Sequence, residues 1–176
     1  YFDFSGYSDM AVGLGYFCGY EFPQNFNSPY KSRSITEFWR RWHITLSTWM
    51  RDYLYIPMGG SRHGPFRTYR NLIVTFLLCG FWHGANWTFI VWGAFHGALL
   101  IADRVTVGSS LLQRIPSVLK AAATFVLVTI GWYYFRAATV GEANRLLGTV
   151  LNGDFVIREI GRIENYKVGL AAMACG

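Results

Sequence analysis

Two histidines, each preceded by tryptophan, are the residues of this chain best suited to chemistry: Trp42-His43 and Trp82-His83. The second pair sits in Leu78-Cys-Gly-Phe-Trp-His-Gly-Ala-Asn-Trp-Thr88, inside a run from Leu72 to Ala102 that carries no charge. A polar group at membrane depth is costly and faces a bundle interior or a wet cavity. Burial disfavours the protonated imidazole, so such a ring stays neutral and can take a proton from a hydroxyl, the task of a general base. Asn86 follows three residues later and shares a face with His83 if the segment is helical. His43 lies at the edge of an amphipathic stripe, where a lone histidine is ordinarily a satisfied border residue. His96 comes thirteen residues after His83, about 220° around a regular helix, and is assigned to packing. The chain has no nucleophile elbow, HExxH, phosphate loop or dinucleotide fingerprint. Metal binding needs three or four converging ligands, and two histidines without a carboxylate at ligand spacing predict no metal site.

The elements that must hold these residues read as membrane helices. Of 176 residues, 52% are apolar, 18% aromatic and only 15% charged, with 19 glycines; that balance suits close helix packing in lipid. The run from Leu72 to Ala102 would span about 45 Å as one helix, against a hydrocarbon core of about 30 Å. It is therefore either one strongly tilted helix or two pieces meeting near Gly80 and Gly84. Gly93-x-x-x-Gly97 has the spacing of a close helix contact. The first residue is Tyr and the last stretch ends in apolar Val168–Gly176, so residues 1–176 are read as a single partial domain of a larger polytopic protein, cut at both ends.

The net charge of +6 resides in Lys and Arg beside apolar segments, where bases mark the cytoplasmic side and meet anionic lipid headgroups; no nucleic-acid motif accompanies them. Lys31 to Arg70 contains eight bases against Glu37 and Asp52 and is placed in the cytoplasm. Cys18, Cys79 and Cys175 form neither a disulfide framework nor a metal pattern and are read as small core residues.

Along the chain, Tyr1–Phe22 is too short in its uncharged part to cross alone and reads as a helix end or a re-entrant piece, on which Ser5 and Asp9 could line one face. Pro23–Arg33 is a loop. Ser34-Ile-Thr-Glu37 is a capping box, and Ile35, Phe38, Trp39, Trp42, Leu46, Trp49, Met50, Tyr53 and Leu54 form a stripe predicting one interfacial helix ended by Pro57 and Gly59-Gly60. Ser61–Asn71 reads as a short basic loop with Arg62, Arg67 and Arg70. Thr106–Lys120 is a loop with a short helical piece, and Ala121–Phe135, extended by Val118-Leu119, is a crossing. Thr139-Val-Gly-Glu142 is a second capping box, opening a helix to about Leu151. Asp154–Lys167 is extramembrane, and Val168 begins another apolar segment.

Three stretches carry a resemblance: Phe38-Trp-Arg-Arg-Trp-His-Ile-Thr-Leu-Ser47, Arg51-Asp-Tyr-Leu-Tyr-Ile-Pro-Met-Gly-Gly60 and Gly80-Phe-Trp-His-Gly-Ala-Asn-Trp-Thr-Phe89. In this order they resemble the membrane-bound O-acyltransferase family, and within it the bacterial branch that acetylates exported polysaccharides such as alginate, with its D-alanyl-transferring relatives. Tyr1–Gly13 is also similar to the segment preceding these motifs in that branch. The resemblance implies an all-α, polytopic transmembrane helix bundle with interfacial and re-entrant helices around a funnel or tunnel, in a bacterial inner membrane. It implies His83 as the catalytic base and His43 as a second catalytic group or part of the donor entrance. Asn86 would orient His83 or the reacting carbonyl, Trp39 and Trp82 would contact substrate, and Arg62, Arg67 and Arg70 would meet donor phosphates. No tightly bound cofactor is implied. Acetyl-CoA or an acyl-carrier thioester would be the donor, a polysaccharide or wall-polymer hydroxyl the acceptor, and a periplasmic or extracellular acetyltransferase the partner. D-alanyl transfer, and a non-catalytic channel or transporter subunit using His83 for proton passage, are the competing expectations.

Overall fold

The computed structural model describes residues 1–106 and 108–153, and these residues form helices and connecting turns without a strand. The expected extramembrane stretch Asp154–Lys167, the apolar segment from Val168, and Cys175 lie outside the described residues. In order the helices are α1 (Phe2–Phe17), α2 (Ile35–Arg41), α3 (Ile44–Met50), α4 (Gly64–His83), α5 (Trp87–Thr106), α6 (Ser110–Arg114), α7 (Ser117–Arg136) and α8 (Val140–Leu151).

The uncharged run is two helices, α4 and α5, folded against each other as an antiparallel hairpin. Glycine makes the close approach possible. A Cβ on Gly80 would run into the Phe89 carbonyl, one on Gly93 into the Phe76 carbonyl, and one on Gly97 would sit 3.3 Å from the Ile73 Cα. The Gly93-x-x-x-Gly97 spacing is therefore the face that α5 presents to α4. α7 packs on the other side of α5, and α8 folds back on α7. Helices α5 and α7 are each 20 residues, long and apolar enough to cross a membrane, since 20 residues rise about 30 Å. α7 carries exposed Val118, Leu119, Phe125 and Val126, and α1 exposes Phe2, Tyr7, Met10, Leu14 and Phe17; side chains of this kind face lipid or further helices.

The expected single interfacial helix over 35–54 is not continuous. It breaks at Trp42-His43, where Trp42 is extended (φ −107°, ψ 127°) and His43 is left-handed (φ 44°, ψ 58°). The loop before it supplies the reason: Asn27 N–H donates to the Arg41 carbonyl and Ile44 N–H donates to the Asn25 carbonyl, both at 3.0 Å. Two groups that would bond within a helix are satisfied across the chain instead. After α3 the backbone widens into a π-turn at Arg51–Tyr55.

Both capping boxes form at their N-caps. Ser34 and Thr139 side chains accept from Glu37 and Glu142 N–H at 3.1 Å. Each glutamate then reaches the N–H one residue before the cap, Arg33 at 2.8 Å and Ala138 at 2.9 Å. The Arg33 bond, with Arg41 at 2.9 Å, holds the Glu37 carboxyl below the usual carboxylate range. The carboxylate of Asp103, near the end of α5, bonds Thr36 at its hydroxyl and at its N–H (3.0 Å), fastening α5 to the first turn of α2. Asp103→Ala is expected to lower thermal stability in detergent by about 1 kcal/mol, with Asp103→Asn recovering part of it; equal melting of all three would show that the tie is not needed.

Ser61–Asn71 is not a loop throughout: helix begins at Gly64 with Pro65 in its first turn, the position where a missing N–H costs nothing. Asn71, fully buried, then donates from Nδ2 to the carbonyls of Met58 (3.1 Å) and Gly60 (3.0 Å). That clamp closes the turn in which Gly60 takes φ 53°. Cys79 is buried, but Cys18 is exposed at the end of α1, so only one of the two described cysteines is a core residue.

Candidate active site

His83 is the last residue of α4, and the hairpin turn of Gly84, Ala85 and Asn86 follows it. Its ring is half-buried and stands edge-on to Trp92 (centroids 5.4 Å apart, 89°) and Phe135 (5.0 Å, 80°), with Trp82 at 4.8 Å and Phe89 at 6.2 Å. Three helices thus supply its walls: α4, α5 and α7. Among the described residues its ring nitrogens have no hydrogen-bond partner, so both remain available to a substrate. Trp82 is 60% exposed and flanks the imidazole from outside.

Asn86 does not share a helical face with His83, because α4 ends first. Its Oδ1 accepts from Thr88 N–H at 3.2 Å, capping α5, and its Nδ2 donates to the Ala138 carbonyl at 2.9 Å. Both ends of the carboxamide are thereby used to fix the turn beyond His83 against the α7–α8 junction. Asn86 positions the segment rather than bonding the imidazole.

His43 is held in the left-handed region, one of two non-glycine residues there among those described. A non-glycine residue in this region is uncommon and persists only where its surroundings impose it. Asn25 imposes it. Its Oδ1 accepts from Thr45 N–H at 3.1 Å and the Thr45 hydroxyl at 2.6 Å, and lies 3.3 Å from His43 Nδ1. Because Thr45 N–H can only donate, that Asn25 atom is an oxygen, so His43 donates from Nδ1 and leaves its lone pair on Nε2. Phe4 of α1 stands edge-on to the ring at 4.8 Å, and burial holds the imidazole's proton affinity below the ordinary histidine value. Nothing in the periodicity of Pro23–Arg33 marks Asn25, whose partners lie twenty residues on. Asn25→Ala is expected to destabilise the fold by about 1–2 kcal/mol, read from thermal melts in detergent; no change would mean that the loop holds His43 without the side chain.

The two histidines border one aromatic core. Trp42 packs on Trp132 (4.8 Å), and Trp132 packs on Trp92 and Phe135, the walls of His83. Trp39 is buried in the same core, edge-on to Trp92 and His96.

A cavity of about 800 Å³ opens between α2–α3 and the α4–α5 hairpin. Its apolar wall includes Trp39, Leu72, Phe76, Leu100 and, at Ile44 and Cys79, the neighbour of His43 and the residue one turn before His83. Its polar wall carries Arg40, Arg51 and Arg104. These are not the arginines expected from the sequence: Arg62 and Arg67 are exposed outside the cavity, and Arg70 donates to the Asn71 carboxamide (2.9 and 3.2 Å). Arg40 and Arg51 lie outside the apolar stripe of Ile35–Leu54, and Arg104 follows the apolar length of α5. Only the packing of three helices brings them together.

Comparison with known proteins identifies the family. The family model of MBOAT, membrane-bound O-acyltransferase family, matches residues 1–139. The chain is 55% identical over 165 residues to "Probable alginate O-acetylase AlgI" of Pseudomonas putida, covering 93% of this chain and 34% of that protein. It is 50% identical over 157 residues to "Peptidoglycan O-acetyltransferase" of Helicobacter pylori, covering 87% and 30%. To "Teichoic acid D-alanyltransferase" of Bacillus subtilis it is 33% identical over 155 residues, covering 77% and 38%. The chain spans about a third of the length of these curated relatives. With its two tryptophan-histidine pairs around one aromatic core, the chain belongs to the membrane-bound O-acyltransferase family.

Proposed function

We propose that this chain carries the reacting end of an O-acyltransferase that moves an acyl group, acetyl foremost, from a thioester on the cytoplasmic side to a hydroxyl of an exported polysaccharide or wall polymer. The observation that supports this most directly is His83: a half-buried imidazole at a helix end, walled by aromatic rings, its nitrogens without a hydrogen-bond partner among the described residues. In this reading His83 takes the proton of the acceptor hydroxyl as its oxygen attacks the thioester carbonyl. The carbon–sulfur bond then breaks, and the leaving thiolate takes the proton from the imidazolium. His43, with its lone pair on Nε2, faces the donor and assists the second transfer. The cavity suits a thioester carrier, its apolar wall accepting a flexible arm and Arg40, Arg51 and Arg104 attracting a phosphate; acetyl-CoA and an acyl-carrier protein both present that chemistry. Acetyl is placed before D-alanyl because the acetylating relatives share 50–55% identity and the D-alanylating ones 33% and 39%.

The protein would act as a multi-pass protein of a bacterial inner membrane, its described helices forming part of the passage between donor and acceptor, with a periplasmic or extracellular acetyltransferase completing delivery. The test is the acyl content of exported polymer made by cells holding the full-length protein, wild type or His83→Ala, with donor label identifying the group moved. Loss of acylation with normal membrane insertion supports the enzyme; unchanged acylation overturns it and returns His83 to a structural or conducting role.

A further inference from the structure

We propose that His96 and the indoles of Trp39, Trp92 and Trp132 enclose a buried water site joining the wall of the cavity to the wall behind His83. Trp92 and His96 are four residues apart, so they lie one turn apart on one face of α5, and each is no more than 1% exposed. Among the described residues, Trp92 Nε1 and both Nδ1 and Nε2 of His96 have no partner. The Nε1 atoms of Trp39 and Trp132 are buried and unpartnered in the same way. Trp39 and Trp92 stand around the His96 imidazole at 5.1 and 5.0 Å, and Trp132 at 6.4 Å. α7 closes the far side, where a Cβ on Gly131 would come within 2.6 Å of His96 Nε2.

Counting donors decides the matter. A buried imidazole away from any carboxylate is neutral, with one N–H and one lone pair. Indole nitrogens only donate. Three indoles and the imidazole therefore bring four N–H groups to a single imidazole lone pair. Granting Trp132 to the neighbouring Tyr30 hydroxyl still leaves three. Edge-to-face contact with a ring is a weak substitute for a hydrogen bond. Buried polar groups are nearly always satisfied, by protein or by ordered water, and a water oxygen supplies the two acceptor sites that this cluster needs. The site has a wall in common with each neighbour: Trp39 and Phe76 face both His96 and the cavity, while Trp92 touches both His96 and His83. The inference is independent of the acyl-transfer reading, because it concerns the hydration of the core and not turnover.

X-ray radiolytic footprinting of the full-length protein in detergent tests it, since radicals formed from bound water label residues that bulk solvent does not reach. Trp92, only 1% exposed, is expected to be oxidised readily in the wild type. The label should fall at least fivefold in His96→Leu and persist in His96→Gln, which keeps a donor and an acceptor; His83→Ala, active or not, should leave it unchanged. A wild-type Trp92 as inert to labelling as buried Phe38 would overturn the proposal. So would equal labelling of wild type and a folded His96→Leu. Should His96→Leu fail to fold, the wild-type labelling of Trp92 and its retention in His96→Gln remain the deciding measurements.

Discussion

Full-length protein carrying His83→Gln is expected to transfer acyl groups about 10²–10⁴-fold more slowly than wild type, the usual contribution of a positioned general base. Glutamine retains polarity and much of the volume between Trp92 and Phe135, yet it cannot take up a proton from the acceptor hydroxyl. The loss should appear in kcat with the donor KM little changed, because the cavity with Arg40, Arg51 and Arg104 lies apart from this ring. His43→Gln should cost less, and part of its cost should fall on the donor KM. Burial holds His43 neutral below the ordinary histidine pKa of about 6.5, so the step it assists should persist into mildly acidic solution and fade only as the ring protonates. Initial rates with labelled donor in isolated membranes measure all of this. A His83→Gln rate within a factor of two of wild type, or a larger loss for His43→Gln, would move the base to the other histidine.

The largest structural effect is expected at the hairpin. Gly93→Leu places a side chain where the α4 backbone at Phe76 already stands, and a backbone carbonyl cannot swing aside as a flexible side chain can. Overpacking a close helix contact costs about 3 kcal/mol or more, enough to part α4 from α5 and carry His83 away from Trp92. Gly80→Val should act alike through the Phe89 carbonyl. Gly6→Ala and Gly13→Ala meet nothing within 4 Å and should melt as wild type. Thermal unfolding in detergent, followed by circular dichroism, reads the comparison. Stability of Gly93→Leu equal to that of Gly13→Ala would mean that the two helices are not held in this contact.

Much of this protein is written locally. The capping boxes at Ser34 and Thr139, the apolar helix at 117–136 and the glycine face of α5 rest on nearby residues, and such signals survive without knowledge of the rest of the chain. The length of the uncharged run, too great for one crossing, together with Gly80 and Gly84, already allowed a hairpin beside a tilted helix, and the tryptophan-histidine pairs lie in the motifs that carry the family resemblance. Three things required the tertiary structure. The break at Trp42-His43 is imposed by Asn25 and Asn27, whose backbone and side-chain partners lie across the chain; the stripe from Ile35 to Leu54 carries no sign of it. Asn86 is committed to Ala138, fifty-two residues away, so its spacing from His83 misled. The arginines that line the cavity come from α2, the turn after α3, and α5, whereas the cluster at Arg62, Arg67 and Arg70 points elsewhere. Periodicity and capping report what a segment prefers by itself; hydrogen bonds and charges gathered from distant segments exist only once the helices pack, and those decide where a substrate can be held.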